Sequence, residues 1–244
     1  MLRILRAQAS RGFEQGPFKI RRVRPGLILG SNADPAFGPL AVLDHASLGV
    51  GTVVRFHEHV NDEILSYMWR GTMVHEDSSG HRVALSPNRL MLMNAGQSFW
   101  HEESTPSDPV EMLQIFIRPR EADLPGEVQF HDRDDAMADG RWHLVAAPET
   151  SDAPLKIRQQ VIVHDAQLPA GRGIEIPQAD GMDQLLYVFD GEISAGSAHL
   201  LKGDALADDE APLPAIKAVR PSTLIVFLVD RHARATRAGT ISGG

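Results

Sequence analysis

A succession of short apolar segments separated by turn-forming residues constrains the fold of this chain more than any other feature. The segments include LAVLDHASL, EILSYMWRG, RLMLMNAG, EMLQIFIRP, LLYVFDG and TLIVFLVD. Each apolar run is about 5–8 residues long, the length of a strand, and Gly, Pro, Asn or Asp interrupts the chain between runs. The best candidate for a helix is the short acidic stretch Asp132–Ala138. The pattern predicts an all-β protein, a sandwich or a barrel, with few short helices.

A connector rich in acidic residues divides the 244-residue chain into two parts. The acidic stretch spans Glu121–Arg141 and contains Pro125 and Gly126, and strand-like texture resumes at LKIRQQVIV. The final stretch RHARATRAGTISGG has many small residues and no acid, which is typical of a frayed tail. The predicted organisation is an N-terminal domain over residues 1–125, a connector over 126–144, a C-terminal domain over 145–232 and a flexible tail over 233–244.

An internal repeat supports this division. Three residues of the first half recur 120 positions later, as the pairs Gly51 and Gly171, Tyr67 and Tyr187, and Gly71 and Gly191. The segments ILSYMWRG and QLLYVFDG around the two tyrosines also match in pattern. We interpret the two halves as a duplication of one β domain.

Composition argues against several classes of function. The chain has 32 acidic residues against 24 basic ones and a formal net charge of -8, which argues against direct binding of nucleic acid or of an anionic membrane. The chain has no cysteine, which excludes disulfides, thiolate metal sites and a cysteine nucleophile. We find no signal peptide and no apolar run long enough for a membrane helix, so we expect a cytoplasmic protein.

Two histidine motifs carry the candidate chemistry. His57 and His59 are two residues apart, so both imidazoles point to the same face of a strand. His101 and Glu103 offer ligands at the same spacing further along, and the strands between the motifs are short enough to fold back as hairpins. Three imidazoles and one carboxylate form a borderline site for a divalent first-row metal and leave coordination positions open, as catalytic metals require. The sequence therefore predicts one metal site.

Strand alternation also assigns the neighbours of this site. Phe99 shares the face of the second motif and is expected to line the pocket. If the strand of the first motif continues unbroken, Glu63 also points to the site, as a rival ligand or as a group beside the ligands. The same parity makes Arg55 a candidate pocket residue that pairs with Glu63 or with an anionic ligand, although a structural salt bridge is its favoured role. His75 is interpreted as structural. The residues alone leave Glu63 and Glu103 in competition.

The motifs resemble those of one known family. The string from Gly51 to Gly71 is similar to the first cupin motif, and its continuation YMWRGTMVHEDSSG closely resembles a stretch of the pirins. MNAGQSFWHEE resembles the second pirin motif, and LQIFIRP resembles the strand that follows it. The match is dense over about residues 36–120 and weak beyond. The chain thus resembles the pirin family of two-domain cupins.

The resemblance implies two stacked cupin-type (jelly-roll) β-barrels and one divalent transition metal in the N-terminal barrel. Fe(II) is the first expectation for this metal, with Zn, Ni, Mn and Cu as alternatives. The implied ligands are His57, His59, His101 and Glu103. The resemblance moves Glu63 from the metal to a place beside the ligands. If the chain is an enzyme, the candidate catalytic carboxylates are Glu103, as a ligand that loosens to act as a base, and Glu63 beside the ligands.

The repeat argues that this site has no twin. An offset of 120 residues maps His57 onto Pro177 and His59 onto Ala179, and neither Pro nor Ala can bind a metal. We therefore expect a metal-free C-terminal barrel.

The resemblance implies two alternative functions. One is a quercetin 2,3-dioxygenase-like enzyme that combines O2 with a small enol or flavonol-like aromatic substrate. The other is a metal-dependent regulatory or sensor protein that binds a protein partner without catalysis. A monomer is expected in either case. Several residues depart from the pirin pattern and reshape the expected pocket, namely Glu58, Ser98, Phe99, Trp100 and Glu102.

Overall fold

The described residues are almost entirely β-structure. A computed structural model describes residues 1–30, 34–134 and 138–244. These residues form 22 strands and two short 3-10 helices, Ala7–Ala9 and Pro25–Leu29. The all-β prediction from the short apolar segments is therefore confirmed.

The short helix expected at Asp132–Ala138 falls partly outside the described residues. Asp132 is the last residue of a strand, and residues 135–137 belong to the part of the chain that is not described. Within the three described ranges, no helix is long and apolar enough to cross a membrane.

The first barrel is built from a seven-stranded and a four-stranded antiparallel sheet. Its strands are β2 (Arg11–Gln15), β3 (Phe18–Val23), β4 (Leu40–Leu48), β5 (Val53–His59), β6 (Glu63–Arg70), β7 (Met73–Asp77), β8 (Arg82–Leu85), β9 (Arg89–Asn94), β10 (Phe99–Ser104), β11 (Val110–Ile117) and β12 (Glu127–Asp132). The larger sheet has the order β12-β9-β6-β11-β4-β3-β2, and the smaller one has the order β5-β10-β7-β8.

The second barrel repeats this plan, except that one edge pair of its larger sheet is parallel. Its strands are β1 (Leu2–Leu5), β13 (His143–Pro148), β14 (Leu155–Ile157), β15 (Val161–Leu168), β16 (Gly173–Ile174), β17 (Asp183–Asp190), β18 (Glu192–Ala195), β19 (Ala198–Leu201), β20 (Ala205–Asp208), β21 (Ile216–Ala218) and β22 (Ser222–Val229). The larger sheet has the order β1-β20-β17-β22-β15-β13-β14, and the smaller one has the order β16-β21-β18-β19.

The two large sheets pack against each other and bury their central strands on both faces. Leu65 of β6 and Leu185 of β17 belong to one hydrophobic cluster that both large sheets share. The neighbouring Ile64 and Leu186 point the other way and belong to separate clusters, one in each half of the molecule. A strand that is buried on both faces reads as a continuous apolar run, which explains segments such as TLIVFLV.

Equivalent residues of the two halves meet across the interface. The Tyr67 hydroxyl donates to Asp165 Oδ2 at 2.7 Å, and the Tyr187 hydroxyl lies 2.8 Å from His45 Nδ1. All four residues are buried. Tyr187 stands 120 positions after Tyr67, and Asp165 stands 120 positions after His45. The contact between Tyr67 and Asp165 is therefore equivalent to the contact between Tyr187 and His45, with the two halves exchanged. The halves therefore associate through equivalent surfaces, as a duplication predicts.

The repeated glycines after the central strands have the same structural cause. Gly71 and Gly191 both have positive φ, 78° and 96°. A Cβ at Gly71 would lie 2.2 Å from the Pro109 carbonyl oxygen, and one at Gly191 would lie 2.5 Å from the Pro221 carbonyl oxygen. Both turns thus require a residue without a side chain.

Two strands pair across the predicted domain boundaries. The chain begins with β1, which pairs with β20 of the second barrel rather than with the N-terminal domain. The predicted connector contributes β12, which pairs with β9 of the first barrel. The division at residues 125, 144 and 232 stays a prediction. By strand pairing, β1 belongs to the second barrel and β12 belongs to the first barrel. Edge strands accept such additions because their outer backbone groups are unpaired.

The segment 233–244 packs onto the first barrel instead of forming the flexible tail that its composition predicts. Ser242 is fully buried, and Arg118 donates from Nε to its carbonyl oxygen at 2.7 Å. The Thr240 amide donates to the Val60 carbonyl oxygen at 2.9 Å. The small residues that suggested disorder allow the backbone to approach the barrel closely.

Candidate metal centre

Three neighbouring strands of the smaller sheet place the candidate ligands side by side. On β10, His101 is opposite His57 of β5, and Glu103 is opposite His75 of β7. One donor atom each of His57, His59 and His101 lies within 4.8 Å of the others, and a second group with the same limit contains His75, His101 and Glu103. The structure thus brings the three predicted histidines together and adds His75 to them.

The hydrogen bonds of the first motif determine which nitrogens are free. His57 Nδ1 lies 2.8 Å from the Arg55 carbonyl oxygen, and His59 Nδ1 lies 3.0 Å from Asp62 Oδ2. Both partners can only accept, so each Nδ1 carries the proton and each Nε2 carries a lone pair. The two Nε2 atoms are 3.1 Å apart. Two lone pairs at this distance repel each other unless a cation lies between them.

A similar chain of contacts orients the third histidine. His75 Nε2 lies 3.1 Å from Asp77 Oδ2, so it donates and leaves a lone pair on His75 Nδ1. His101 Nδ1 lies 3.4 Å from that nitrogen and is placed to donate to it, although this contact is long. His101 Nε2 is buried and has no hydrogen-bond partner among the described residues. It is an unsatisfied acceptor directed into the cluster.

The residues present fit a divalent metal ion. Burial lowers the pKa of His57, and it lowers the pKa of His101 to about 2, together with the neighbouring histidines. Protonation of His57 and of His101 is therefore disfavoured. Two imidazole nitrogens that bind one ion at about 2.1 Å each must lie within about 4.2 Å of each other, and the 3.1 Å between the Nε2 atoms of His57 and His59 meets this condition. His101, with its unpartnered Nε2, joins His57 and His59 in one group of candidate metal ligands.

Glu103 lies beside this group but is held by another residue. Gln114 Nε2 donates to both carboxylate oxygens, at 3.1 and 2.9 Å, and Oε1 lies 4.0 Å from His101 Nδ1. Burial raises the pKa of Glu103 to about 7, against the opposing effect of the Gln114 hydrogen bond. The structure therefore groups Glu103 with His75 and His101, and its role as the fourth ligand stays a prediction.

Glu63 is not near the histidines, contrary to the prediction from strand parity. Its carboxylate accepts from Asn94 Nδ2 at 3.0 Å and from the Arg158 amide at 2.9 and 3.0 Å. The strand does not continue between the first motif and Glu63, because β5 ends at His59 and Asn61 has a positive φ of 52°. The turn breaks the alternation on which the prediction depended.

Arg55 is also displaced from the predicted position. The register between β5 and β10 shifts, because Val54 is opposite Glu103 and His57 is opposite His101. Three positions on β5 match two on β10, which is a β-bulge. The bulge breaks the alternation of side chains at Arg55, whose exposed side chain forms no ion pair with any residue the structure describes. The Arg55 carbonyl oxygen, not the side chain, contacts the site, where it accepts a hydrogen bond from His57 Nδ1.

Phe99 lies under the centre as a buried apolar wall. It is opposite His59 in the sheet and belongs to an apolar cluster with Ile64 and Phe116. The ring of Phe116 is 6.1 Å from that of His59. The lining role of Phe99 stays a prediction.

Two supporting groups of the site were missed at the level of sequence. Asp62 holds His59, and the pair of His75 and Asp77 holds His101. The spacing of His75 and Asp77 could have indicated their contact, because side chains two residues apart lie on the same face of a strand, as in the ligand motifs. Asp62 had no such signal, since it lies in the turn after β5.

A cavity of about 540 Å³ lies away from the histidines. It is lined by residues that include Leu5, Arg11, Phe18 and Leu27. Cavity size alone therefore does not locate the candidate chemistry. The histidine centre reaches solvent through His57, which is half-buried, whereas His59 and His101 are buried.

Two domain families match the chain, one in each half. Residues 21–117 match the family described as Pirin, and residues 144–229 match the quercetinase C-terminal cupin domain. A protein of Mycobacterium tuberculosis that carries the provisional name quercetin 2,3-dioxygenase is 26% identical over 183 residues, 73% of either chain. The quercetin 2,3-dioxygenase of Escherichia coli is 30% identical over 127 residues, 51% of this chain and 54% of that protein.

The solved structures that resemble the chain have the same two-barrel fold. A bacterial pirin from Escherichia coli in complex with nickel(II) superposes with a TM-score of 0.81 at 22% identity. The match covers 94% of this chain and 99% of that one. The prediction of two stacked cupin-type barrels is confirmed.

Proposed function

The chain belongs to the pirin family, and from this premise we propose that it is a metal-dependent dioxygenase that acts with O2 on a small enol or flavonol-like aromatic compound. Relatives at 26–30% identity carry the name quercetin 2,3-dioxygenase, which supports this reaction class. The proposed ligands are His57, His59, His101 and Glu103, and the proposed metal is Fe(II).

The observation that carries the proposal is the convergence of three imidazole side chains. Nε2 of His57 and of His59 face each other at 3.1 Å, and the buried His101 Nε2 has no partner within the described ranges. Neutral imidazoles with one carboxylate suit a divalent first-row metal. The Escherichia coli pirin with bound nickel(II) supports a metal in this fold, and other divalent ions remain alternatives to Fe(II).

Each residue of the centre has a separate task in this proposal. A bound divalent ion supplies Lewis acidity and, if it is iron, one-electron chemistry toward O2. Glu103, whose pKa burial raises to about 7, releases its proton when a cation binds nearby. Gln114 holds the carboxylate toward the histidines. Phe99 and Phe116 exclude water from the inner side of the centre.

Oxygen uptake tests the enzyme proposal. Protein loaded with Fe(II) is mixed aerobically with a panel of flavonols and related enols, and O2 consumption is recorded. We expect metal-dependent turnover with at least one compound and none in the His57→Ala/His101→Ala double variant. The His199→Ala variant is the control, because His199 is exposed and pairs with Glu192 outside the centre. Absence of metal-dependent uptake across the whole panel would contradict the proposal.

A metal-dependent regulatory protein is a second candidate, and one surface feature favours it. Phe56 and Trp100 are 49% and 41% exposed and stack with ring centroids 6.0 Å apart. They lie on β5 and β10 next to His57 and His101, on the outer face of the ligand strands. Exposed aromatic residues are enriched at protein interfaces. The pair therefore offers a partner surface coupled to the centre.

Partner capture distinguishes the two functions. Proteins retained by the immobilised chain are compared between metal-loaded and chelated samples and with the Trp100→Ala variant. A regulatory protein would retain a defined partner only when loaded and would lose it with Trp100→Ala. A set of partners that neither chelation nor this variant changes would exclude the regulatory candidate.

A further inference from the structure

Asp62 connects the candidate metal centre with the C-terminal segment of the chain. Its side chain is fully buried in the turn between β5 and β6. On one side, Oδ2 accepts the Nδ1 proton of His59 at 3.0 Å. On the other side, the carboxylate accepts from the Ser242 amide at 2.9 Å, the Ser242 hydroxyl at 2.7 Å and the Ile241 amide at 3.1 Å. One buried group therefore holds both an imidazole of the centre and a segment 180 residues away.

Independent contacts keep the segment in this position. The Arg118 guanidinium donates to the Ser242 carbonyl oxygen at 2.7 Å, and its other nitrogens pair with Asp34 at 2.7 and 3.1 Å. The Val60 amide donates to the Thr240 hydroxyl at 2.8 Å. These contacts hold the segment in place on both sides of Asp62. The amides of Ile241 and Ser242 are therefore already oriented toward the carboxylate.

Glycine at position 239 is required for this close approach. A Cβ there would lie 2.1 Å from Ser242 Oγ, 2.5 Å from Asp62 Oδ1 and 2.9 Å from the Asn61 carbonyl oxygen. At Gly244, in contrast, a Cβ would meet no atom within 4 Å. The two glycines therefore offer a matched pair of substitutions, one that displaces the segment and one that leaves it in place.

We propose that residues 239–243 are a positioning element of the metal centre. The segment satisfies Asp62, and Asp62 in turn fixes the tautomer and the ring orientation of His59, with Nε2 directed toward His57. Without these donors a buried carboxylate would lose most of its hydrogen bonds, which is costly, and would move toward water. The His59 ring would then lose its support. The inference rests on the proposed metal site.

Linkage makes the effect reciprocal. If the docked segment strengthens metal binding, then metal binding strengthens docking by the same factor. Amide hydrogen exchange of Ile241 and Ser242 reports docking directly, because both amides donate to Asp62. We expect slower exchange at these two amides when Ni(II) is added to the ion-free protein.

Calorimetric titration of the ion-free, full-length protein with Ni(II) tests the proposal. We expect Asp62→Asn and Gly239→Ala to weaken Ni(II) binding by roughly 10- to 100-fold, as is typical for groups that support a ligand histidine. Ser242→Ala removes one of several donors and should weaken binding by roughly 5-fold. Gly244→Ala should leave the affinity unchanged.

The outcomes separate this inference from the proposed function. If wild-type protein binds no Ni(II), the metal site itself fails and the inference fails with it. If wild type binds Ni(II) and folded Asp62→Asn and Gly239→Ala bind equally well, the positioning role alone is overturned. Should Asp62→Asn not fold, Ser242→Ala and the exchange of the Ile241 amide decide, because an unchanged affinity and an unchanged exchange rate contradict the proposal.

Discussion

The two barrels have the same frame and differ in the side chains that point into it. On β6, Ser66 occupies the position that Leu186 has on β17. On the neighbouring strand, Gln114 is opposite Ser66 just as Val226 is opposite Leu186. The first barrel thus has polar side chains at positions where the second barrel has apolar ones.

The ligand strands differ in the same way. Glu103 is opposite His75 in the first barrel, and Ile216 is opposite Ala195 in the second, where residue 195 is the counterpart of residue 75. Ala195 and Ile216 belong to the apolar cluster that fills the second barrel. A few inward-facing positions on a common frame therefore distinguish a candidate metal centre from a packed core.

The largest effect is expected at the interface, where the two equivalent contacts differ in charge. Asp165 accepts from Tyr67 and also pairs with Arg133 at 2.7 Å, and both side chains of that ion pair are buried. Asp165→Ala should lower the free energy of unfolding by about 3–5 kcal/mol, because it leaves a buried guanidinium without its counterion. His45→Ala, at the equivalent position, removes a neutral partner and should cost about 1–3 kcal/mol.

Urea unfolding of the ion-free proteins measures both costs. Equal costs for Asp165→Ala and His45→Ala would show that charge does not distinguish the two contacts. A smaller loss for Asp165→Ala would contradict the burial of the ion pair.

The next effect tests whether the polar interior of the first barrel costs stability. The variant Glu103→Ile/Gln114→Val gives this barrel the side chains of the second one at both positions. We expect the ion-free protein to become more stable by about 1–4 kcal/mol, because well-packed apolar residues often replace buried polar groups favourably. Binding of Ni(II) should weaken at the same time. The reverse exchange, Ile216→Glu, should destabilise the protein by about 2–4 kcal/mol, since it buries a carboxyl group without a partner.

Thermal unfolding with and without Ni(II) measures the two consequences together. Retained nickel affinity in Glu103→Ile/Gln114→Val would remove Glu103 from the proposed ligand set. A loss of stability of the ion-free protein would mean that Glu103 and Gln114 pack better at these positions than Ile and Val do.

The smallest expected effect concerns the pH dependence of stability. Burial raises the pKa of Glu63 to about 7, although Asn94 and the Arg158 amide oppose the shift. The folded protein therefore holds a proton that the unfolded chain releases above its ordinary pKa of 4.5. The stabilisation is complete below pH 4.5 and is lost as the pH rises to 7, at a rate of at most about 1.4 kcal/mol per pH unit.

Glu63→Gln should remove the part of this slope that Glu63 contributes, because the amide does not titrate, whereas Glu103, whose pKa burial also raises to about 7, keeps its own part. The control is Asp183→Asn, at the repeat-equivalent position, where the carboxylate pairs with Arg231 at 2.6 Å. We expect this control to leave the slope between pH 4.5 and 7 in place. Denaturant unfolding at several pH values is the measurement, and an unchanged slope in Glu63→Gln would contradict the assignment.

The sequence by itself determined the fold class, the duplication and the three histidines. Strand-length apolar runs, the 120-residue offset and the spacing of His57, His59 and His101 are local patterns, and the pleat of a strand converts them directly into faces. The pirin resemblance, carried by the same local strings, anticipated two stacked barrels.

Only the tertiary structure decided what supports the histidines. The alternation of side chains between the two faces of a strand fails wherever the strand is interrupted. The bulge at Arg55 and the turn at Asn61 are such interruptions, so the positions that alternation predicts for Arg55 and Glu63 do not hold. The turn instead buried Asp62 against His59 and against Ser242, a contact across 180 residues. No local pattern specifies such a contact, because it depends on how the segment 233–244 packs on the finished barrel.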